Sequence, residues 1–135
     1  PRLIENFGLE AAVNAFAGTM QHEGTFSIHV ISNLQGRRFQ MQTELHVYRI
    51  ICELINNTVK HACATAATLK LRFSGGVLTM RYTDNGKGYE VADISQHTGG
   101  MGIGNIIRRA GLIDAKIRFV NRKKKTEVIL TKEIL

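Results

Sequence analysis

Apolar residues recur along the chain with two different periods, and the switches between them mark out the elements. From Ile4 to about Met20, with Leu3, Phe7, Ala11, Ala15 and Phe16 at helical spacing, the pattern predicts a helix. The segment TFSIHVIS (25–32) then sets Phe26, Ile28 and Val30 against Ser27, His29 and Ile31, which is strand-like alternation. NLQGRR reads as a turn and FQM as a short strand after it. Thr43 is a suitable N-cap for a long helix running to about Ala64. ATLKLRFS and VLTMRYTD, separated by Ser74-Gly75-Gly76, carry the signature of a hairpin. A polar, glycine-rich stretch follows, DNGKGYEVADISQHTGGMGIGN, and a second long-period segment opens near Ile103 and closes by Gly111. AKIRFV and TEVILTKEIL supply two last strands around the basic turn NRKKK. No repeat, low-complexity tract or linker interrupts this order, so residues 1–135 read as a single α/β domain.

On a helical wheel, the long central segment gathers Tyr48, Ile51, Leu54, Ile55, Val59 and Ala62 on one arc. Glu53, Asn56, Asn57, Lys60 and His61 fall on the opposite arc. Glu53 and Asn57 are four apart and therefore neighbours, with Lys60 next up the same ladder. A solvated face explains such an arc, but two adjacent mid-helix asparagines are poorly served by it, because Asn competes with the helix for local hydrogen bonds. Hard-cation chemistry gives a reason for them. Magnesium takes a few protein oxygens and completes its shell with water and phosphate, and a nearby lysine would offset phosphate charge.

Two glycine-rich boxes follow. Asp84-Asn85-Gly86-Lys87-Gly88 ends a strand, where a carboxylate can accept a hydrogen bond from an amino group and glycines let backbone approach a flat ligand. By itself it is also an ordinary turn. Gly99-Gly100-Met101-Gly102-Ile103-Gly104 runs straight into a helix, and amides at a helix start favour an anion. It is neither a P-loop, having no GK[ST], nor a dinucleotide fingerprint, having no strand before it.

Composition narrows the setting. The chain is long enough for one real core, with 44% hydrophobic and 21% charged residues. It has no apolar run of the roughly 20 residues that a membrane span needs, and a start at Pro1 rather than Met points to a fragment or a processed chain. Cys52 and Cys63, about 16 Å apart by helical rise, cannot bridge, so reduced thiols in a cytoplasmic setting are expected. The net charge of +7 is concentrated late, in Arg108, Arg109, Lys116, Arg118 and Arg122 to Lys125. That cluster suits an anionic ligand or an acidic partner as well as nucleic acid, and NRKKKTE has no interleaved aromatic residue. No nucleic acid partner and no membrane contact are expected.

The order E-x-x-x-N-x-x-K-H on a helix, D-N-G-K-G after a strand and G-x-G-I at a helix start resembles the N box and two glycine boxes of the GHKL superfamily. That superfamily includes gyrase-type ATPases, Hsp90, MutL and histidine kinases. ELINNTVKHA and GMGIGNIxxR are most similar to sensor histidine kinases of the nitrate-sensor, degradation-sensor and LytS-like branches. PRLIENFGLEAAV resembles the segment that leads into their ATP-binding domain.

The resemblance implies a two-layer Bergerat sandwich, a mixed sheet of about five strands packed against three helices, binding ATP and Mg2+ beneath a lid over roughly 89–100. By motif match, Asn57 is the magnesium ligand and Glu53 the residue that orients water or the acceptor. Lys60 and His61 approach the phosphates, and Asp84 recognises the adenine amino group in a pocket shaped by Gly86 and Gly88. Gly100, Met101, Gly102 and Ile103 border the phosphates, and Thr126 helps to hold adenine. The family's Pro-Gly-x-Gly-Thr turn is replaced by Asn121 to Thr126. The implied function is ATP binding in a two-component kinase, with the γ-phosphate delivered to a histidine on a separate dimerisation domain and onward to a response regulator. None of His22, His29, His46, His61 or His97 stands in a phosphoacceptor context. Another GHKL ATPase, an anti-sigma-factor serine kinase and a non-catalytic nucleotide-binding scaffold remain as alternatives.

Overall fold

In a computed structural model, residues 2–61, 64–86, 102–122 and 125–134 are described. Their order is α1 (Arg2–Met20), β1 (Ser27–Ser32), α2 (Met41–His61), β2 (Ala66–Ser74), β3 (Val77–Asp84), α3 (Ile103–Leu112), β4 (Lys116–Arg122) and β5 (Lys125–Glu133). The five strands form one sheet in the order β1-β2-β3-β5-β4. β1 runs parallel to β2, with α2 as the crossover that a parallel pair requires, and the remaining pairs are antiparallel. This is the mixed five-stranded sheet and three-helix arrangement expected from the sequence.

Alternate strand residues face the helices. Leu69 and Leu71 of β2, Leu78 and Met80 of β3, and Val128 and Leu130 of β5 join Leu9 and Val13 of α1, Ile51 and Leu54 of α2, and Ile106 of α3 in one buried cluster. The opposite face carries exposed Lys70, Arg72, Arg81 and Arg118. The β2–β3 turn needs positive φ at both central positions, and Gly75 (60°) and Gly76 (77°) supply it.

Two expectations are corrected here. FQM is not a strand: Phe39 and Gln40 are unpaired, and Met41 already belongs to α2. Thr43 accordingly lies inside the helix, 3% exposed, rather than at its cap. The cause is Glu44, fully buried in the first turn, whose Oε2 accepts the Phe39 N–H at 3.2 Å. That bond takes the donor a strand partner would have used, while the Glu44 N–H bonds Gln40 O at 3.0 Å and begins the helix.

Arg38 completes this corner. Its Nε and Nη2 donate to the two Glu44 carboxylate oxygens at 3.0 and 3.1 Å, and that hydrogen bond is the main cause holding the guanidinium pKa above its ordinary value. Nη2 also reaches Ile4 O and Glu5 O, beside a kink in α1 at Gly8 (φ 90°, ψ −176°). Carbonyls at a helix break need outside donors, and Arg38 provides one. A Cβ on Gly8 would lie 2.6 Å from Arg38 Cδ, so glycine is required there by conformation and by space.

The apolar arc of α2 also differs from the wheel. Val47, Ile50, Ile51, Leu54, Ile55 and Thr58 point into the core, whereas Val59 is 39% exposed. The line from Val47 to Thr58 is the one the sheet covers, which leaves Val59 on its flank.

Candidate nucleotide site

α2 carries three of the predicted residues on its last turns. Glu53 is half-buried, Lys60 is exposed, and Asn57 is buried at 7% although the wheel had placed it with the solvated residues. Next to it Thr58 is 2% exposed, so the polar face of this helix turns inward at its end.

Glu53 meets the start of α3. Gly102 is the N-cap residue of α3, in the left-handed region (φ 67°, ψ 16°), with no side chain capping the helix. A Cβ there would fall on the Glu53 side chain, 2.6 Å from its Cδ. Glycine therefore lets the helix start come against the carboxylate. The first amides of α3 are orphan donors at the positive end of a helix dipole, which is the local chemistry an anion requires. Ile103 itself is 1% exposed, so what it offers a ligand is main chain rather than side chain. Beside this junction, Arg49, Cys52, Asn56, Asn105 and Arg109 line a cleft of about 180 Å³ between α2 and α3. Burial pushes the Cys52 thiol pKa up, against a thiolate nucleophile, and burial with a hydrogen bond to Cys52 pushes Tyr48 up to about 12.

Asp84 closes the other side. It ends β3, where its Oδ1 accepts the Gly86 N–H at 2.8 Å and its Oδ2 accepts the Thr58 hydroxyl at 2.8 Å. The Thr58 oxygen is 2.6 Å from the Tyr82 hydroxyl and 2.9 Å from Leu54 O. Asn85 holds the turn from behind: its Oδ1 accepts the N–H groups of Thr65 and Ala66, and its Nδ2 donates to Thr65 Oγ1. Thr83 pairs with Glu127, so Asp84 and Thr126 are the next residues on neighbouring strands.

The structure thus brings Glu53 together with Gly102, and Asp84 together with Gly86 and the residue following Asn57. Gly88, Gly100, Met101 and the 89–100 segment lie outside the described residues, as do the side chains of His61 and Thr126. Thr58 and Tyr82 were missed in the sequence, where a threonine inside an apolar arc is the one available signal. No helix among the described residues is long and apolar enough to cross a membrane.

Known proteins share the sequence pattern and the fold of this chain. The family described as histidine kinase-, DNA gyrase B- and HSP90-like ATPase matches residues 42–134. The sensor histidine kinase ComP of Bacillus subtilis (strain 168) is 27% identical over 118 residues, covering 87% of this chain but only 15% of its own length. Among solved structures, the blue-light activated histidine kinase of Erythrobacter litoralis EL346 superposes with a TM-score of 0.73 at 17% identity, over 94% of this chain and 41% of that one. The histidine kinase AdeS of Acinetobacter baumannii gives 0.74 at 12% identity, over 98% and 73%. With that family matching more than half of the chain, the protein belongs to the histidine kinase-, DNA gyrase B- and HSP90-like ATPase family.

Proposed function

We propose that this domain binds ATP with Mg2+ and presents the γ-phosphate to a histidine on a separate domain, from which a response regulator is phosphorylated. The observation that carries this reading is that one helix, α2, touches both halves of the site. Glu53 packs on the glycine at the start of α3, and Thr58 bonds the carboxylate that ends β3.

The residues suit such a ligand. Glu53 and Asn57 offer the few protein oxygens magnesium uses, and the Gly102 position is a cradle that a Cβ would fill. Asn57 would hold the ion and Lys60 would neutralise phosphate charge. The amides at the start of α3 would receive phosphate oxygens, and Asp84 would accept from the adenine amino group. When bound, the ion offsets charge developing on the transferred phosphoryl group. Phosphoryl transfer needs positioning and charge neutralisation above all, and an imidazole acceptor needs little general-base help. Glu53 therefore serves to orient the acceptor; in a hydrolase the same carboxylate would activate water. His61, Gly86, Gly88, Gly100, Met101 and Thr126 keep the supporting roles that their motif positions imply. A cytoplasmic location fits these roles.

Calorimetry with ATP, with and without Mg2+, tests binding; no heat of binding up to millimolar ATP would remove the reading. Incubation of the Mg-ATP complex with a phosphoacceptor domain from the same protein tests transfer. An acid-labile phosphohistidine is expected. An acid-stable phosphoserine would reassign the domain to the serine-kinase branch, and release of inorganic phosphate alone to the ATPases.

A further inference from the structure

Thr58 enters the reading above only as the partner of Asp84, and Tyr82 not at all, yet their hydroxyls meet in a buried hydrogen bond. Tyr82 is 2% exposed near the end of β3, on the side of the sheet that otherwise presents Leu78 and Met80 to the helices. A buried phenol needs a partner for its hydroxyl, and here that hydroxyl meets Thr58 at 2.6 Å. The Thr58 oxygen in turn lies 2.8 Å from Asp84 Oδ2.

Proton counting orients the chain. A threonine hydroxyl has one proton to give and two lone pairs to receive with. Leu54 O and the Asp84 carboxylate can only accept, so neither can supply a proton to Thr58. If Thr58 gave its proton to Tyr82, its oxygen would face the carboxylate lone pair to lone pair. The Tyr82 hydroxyl therefore donates to Thr58, and the single Thr58 proton is shared between Leu54 O and Asp84, with Asp84 the stronger acceptor because it carries the charge.

We infer that Tyr82 and Thr58 form a directed relay that fixes the Asp84 carboxylate and thereby sets base selectivity; this rests on the proposed adenine contact. Asp84 is held from both sides, at Oδ2 by Thr58 and at Oδ1 by the Gly86 amide. A carboxylate so held cannot rotate, and two oxygens with about four lone-pair positions still have room for one incoming N–H. An exocyclic amine is accepted there. A carbonyl at the same position of the base meets lone pairs and is rejected, and sites built on a fixed hydrogen bond discriminate sharply. Thr58 and Tyr82 are thus positioning residues: they act on the base through Asp84.

The test compares ATP with inosine triphosphate, which places a carbonyl where adenine has its amine, by calorimetry in Mg2+ on the chain and its variants. The parent is expected to prefer ATP. Thr58→Val, which keeps shape and removes the hydroxyl, should lose about tenfold in ATP affinity with inosine triphosphate almost unchanged, as expected for one charge-assisted hydrogen bond. Thr58→Ser should restore the preference, and Tyr82→Phe should lose two- to threefold of it. Equal losses for both nucleotides would show a merely structural role and overturn the inference, as would an unchanged ratio in a folded Thr58→Val protein. Should that variant not fold, Tyr82→Phe against the parent decides in the same way. A parent that binds no ATP would remove the proposed function itself, whereas a parent that discriminates while the variants do so equally removes only the relay.

Discussion

The two ends of α2 both bury polar side chains, and they do so to opposite effect. At the start of the helix, Glu44 is completely enclosed and its carboxylate takes three donors, Arg38 Nε, Arg38 Nη2 and the Phe39 amide. The Glu44 carboxylate itself is closed to a ligand, although the Arg38 side chain that pairs it is partly exposed. At the far end, Thr58 is enclosed too, but the Asp84 carboxylate it serves is only half-buried and takes two donors among the described residues. The first arrangement closes on itself and holds α1, the 37–40 segment and α2 in register. The second is held from two sides and half-buried, which is what a preorganised recognition group requires. A filled buried network supports the fold, and a partly filled one at an edge awaits a partner.

That contrast is broken if a change at the open end alters folding more than binding. Asn57→Ala is expected to have the largest effect on binding: loss of the oxygen proposed to hold magnesium should abolish the Mg2+ dependence of ATP affinity, a change of about a hundredfold. The helix should survive it, as circular dichroism can check. An Mg2+ dependence equal to the parent's would sink the role given to Asn57.

Gly8→Ala is the mirror experiment at the closed end. Its φ of 90° disfavours any Cβ, and that Cβ would meet Arg38. A destabilisation of about 2 kcal/mol is expected, from the left-handed conformation together with local overpacking. ATP affinity at temperatures where the variant is folded should stay at the parent's value. A variant as stable as the parent in urea would show that the corner yields easily and that the closed network is no clamp.

What the sequence disclosed follows the same division. Features written in local chemistry were legible: the Gly75-Gly76 hairpin, the alternation in β3 and β5, and the glycine run leading to α3. The start of α2 was not, because it depends on Arg38, Phe39 and Glu44 meeting beside Gly8, which is far off in sequence. Thr43 is a good cap by type, and tertiary hydrogen bonds overrode it. The motifs single out Glu53 and Gly102, and Asp84 and Gly86, which the structure brings together in pairs, but the wheel put Asn57 in solvent and gave Val59 to the core. A helical wheel assumes one covered line along the whole helix; here strand β3 ends at Asp84 and draws the last polar turn inward through Thr58.

Asp84→Asn sharpens the comparison at the open end. It keeps the size of the side chain and replaces one acceptor oxygen by a donor, so ATP should weaken by about tenfold while GTP changes little. Equal loss of both nucleotides would mean that Asp84 shapes the turn rather than reading the base.

The smallest expected effect lies between the two ends, at His46. Its pKa is lowered from the ordinary value near 6.5, first by burial and then by the charges of Arg109 and Arg108 on α3, and Arg109 Nη1 stands 3.4 Å from its Nδ1. A histidine that resists protonation when folded takes up its proton more readily when unfolded. Below about pH 6.5 the unfolded chain therefore binds more protons at this site, and stability falls with pH until the folded pKa is reached. Thermal melts from pH 7.5 to 5.5 should show a shallow loss, and His46→Gln should remove part of that slope. Salt separates the causes: it screens the two arginines and leaves burial untouched. Because burial is the larger cause, adding salt should narrow the difference between parent and variant without closing it. If salt closed it completely, α3 would act on His46 through charge alone, and the packing of α3 against the middle of α2 would be looser than at either end.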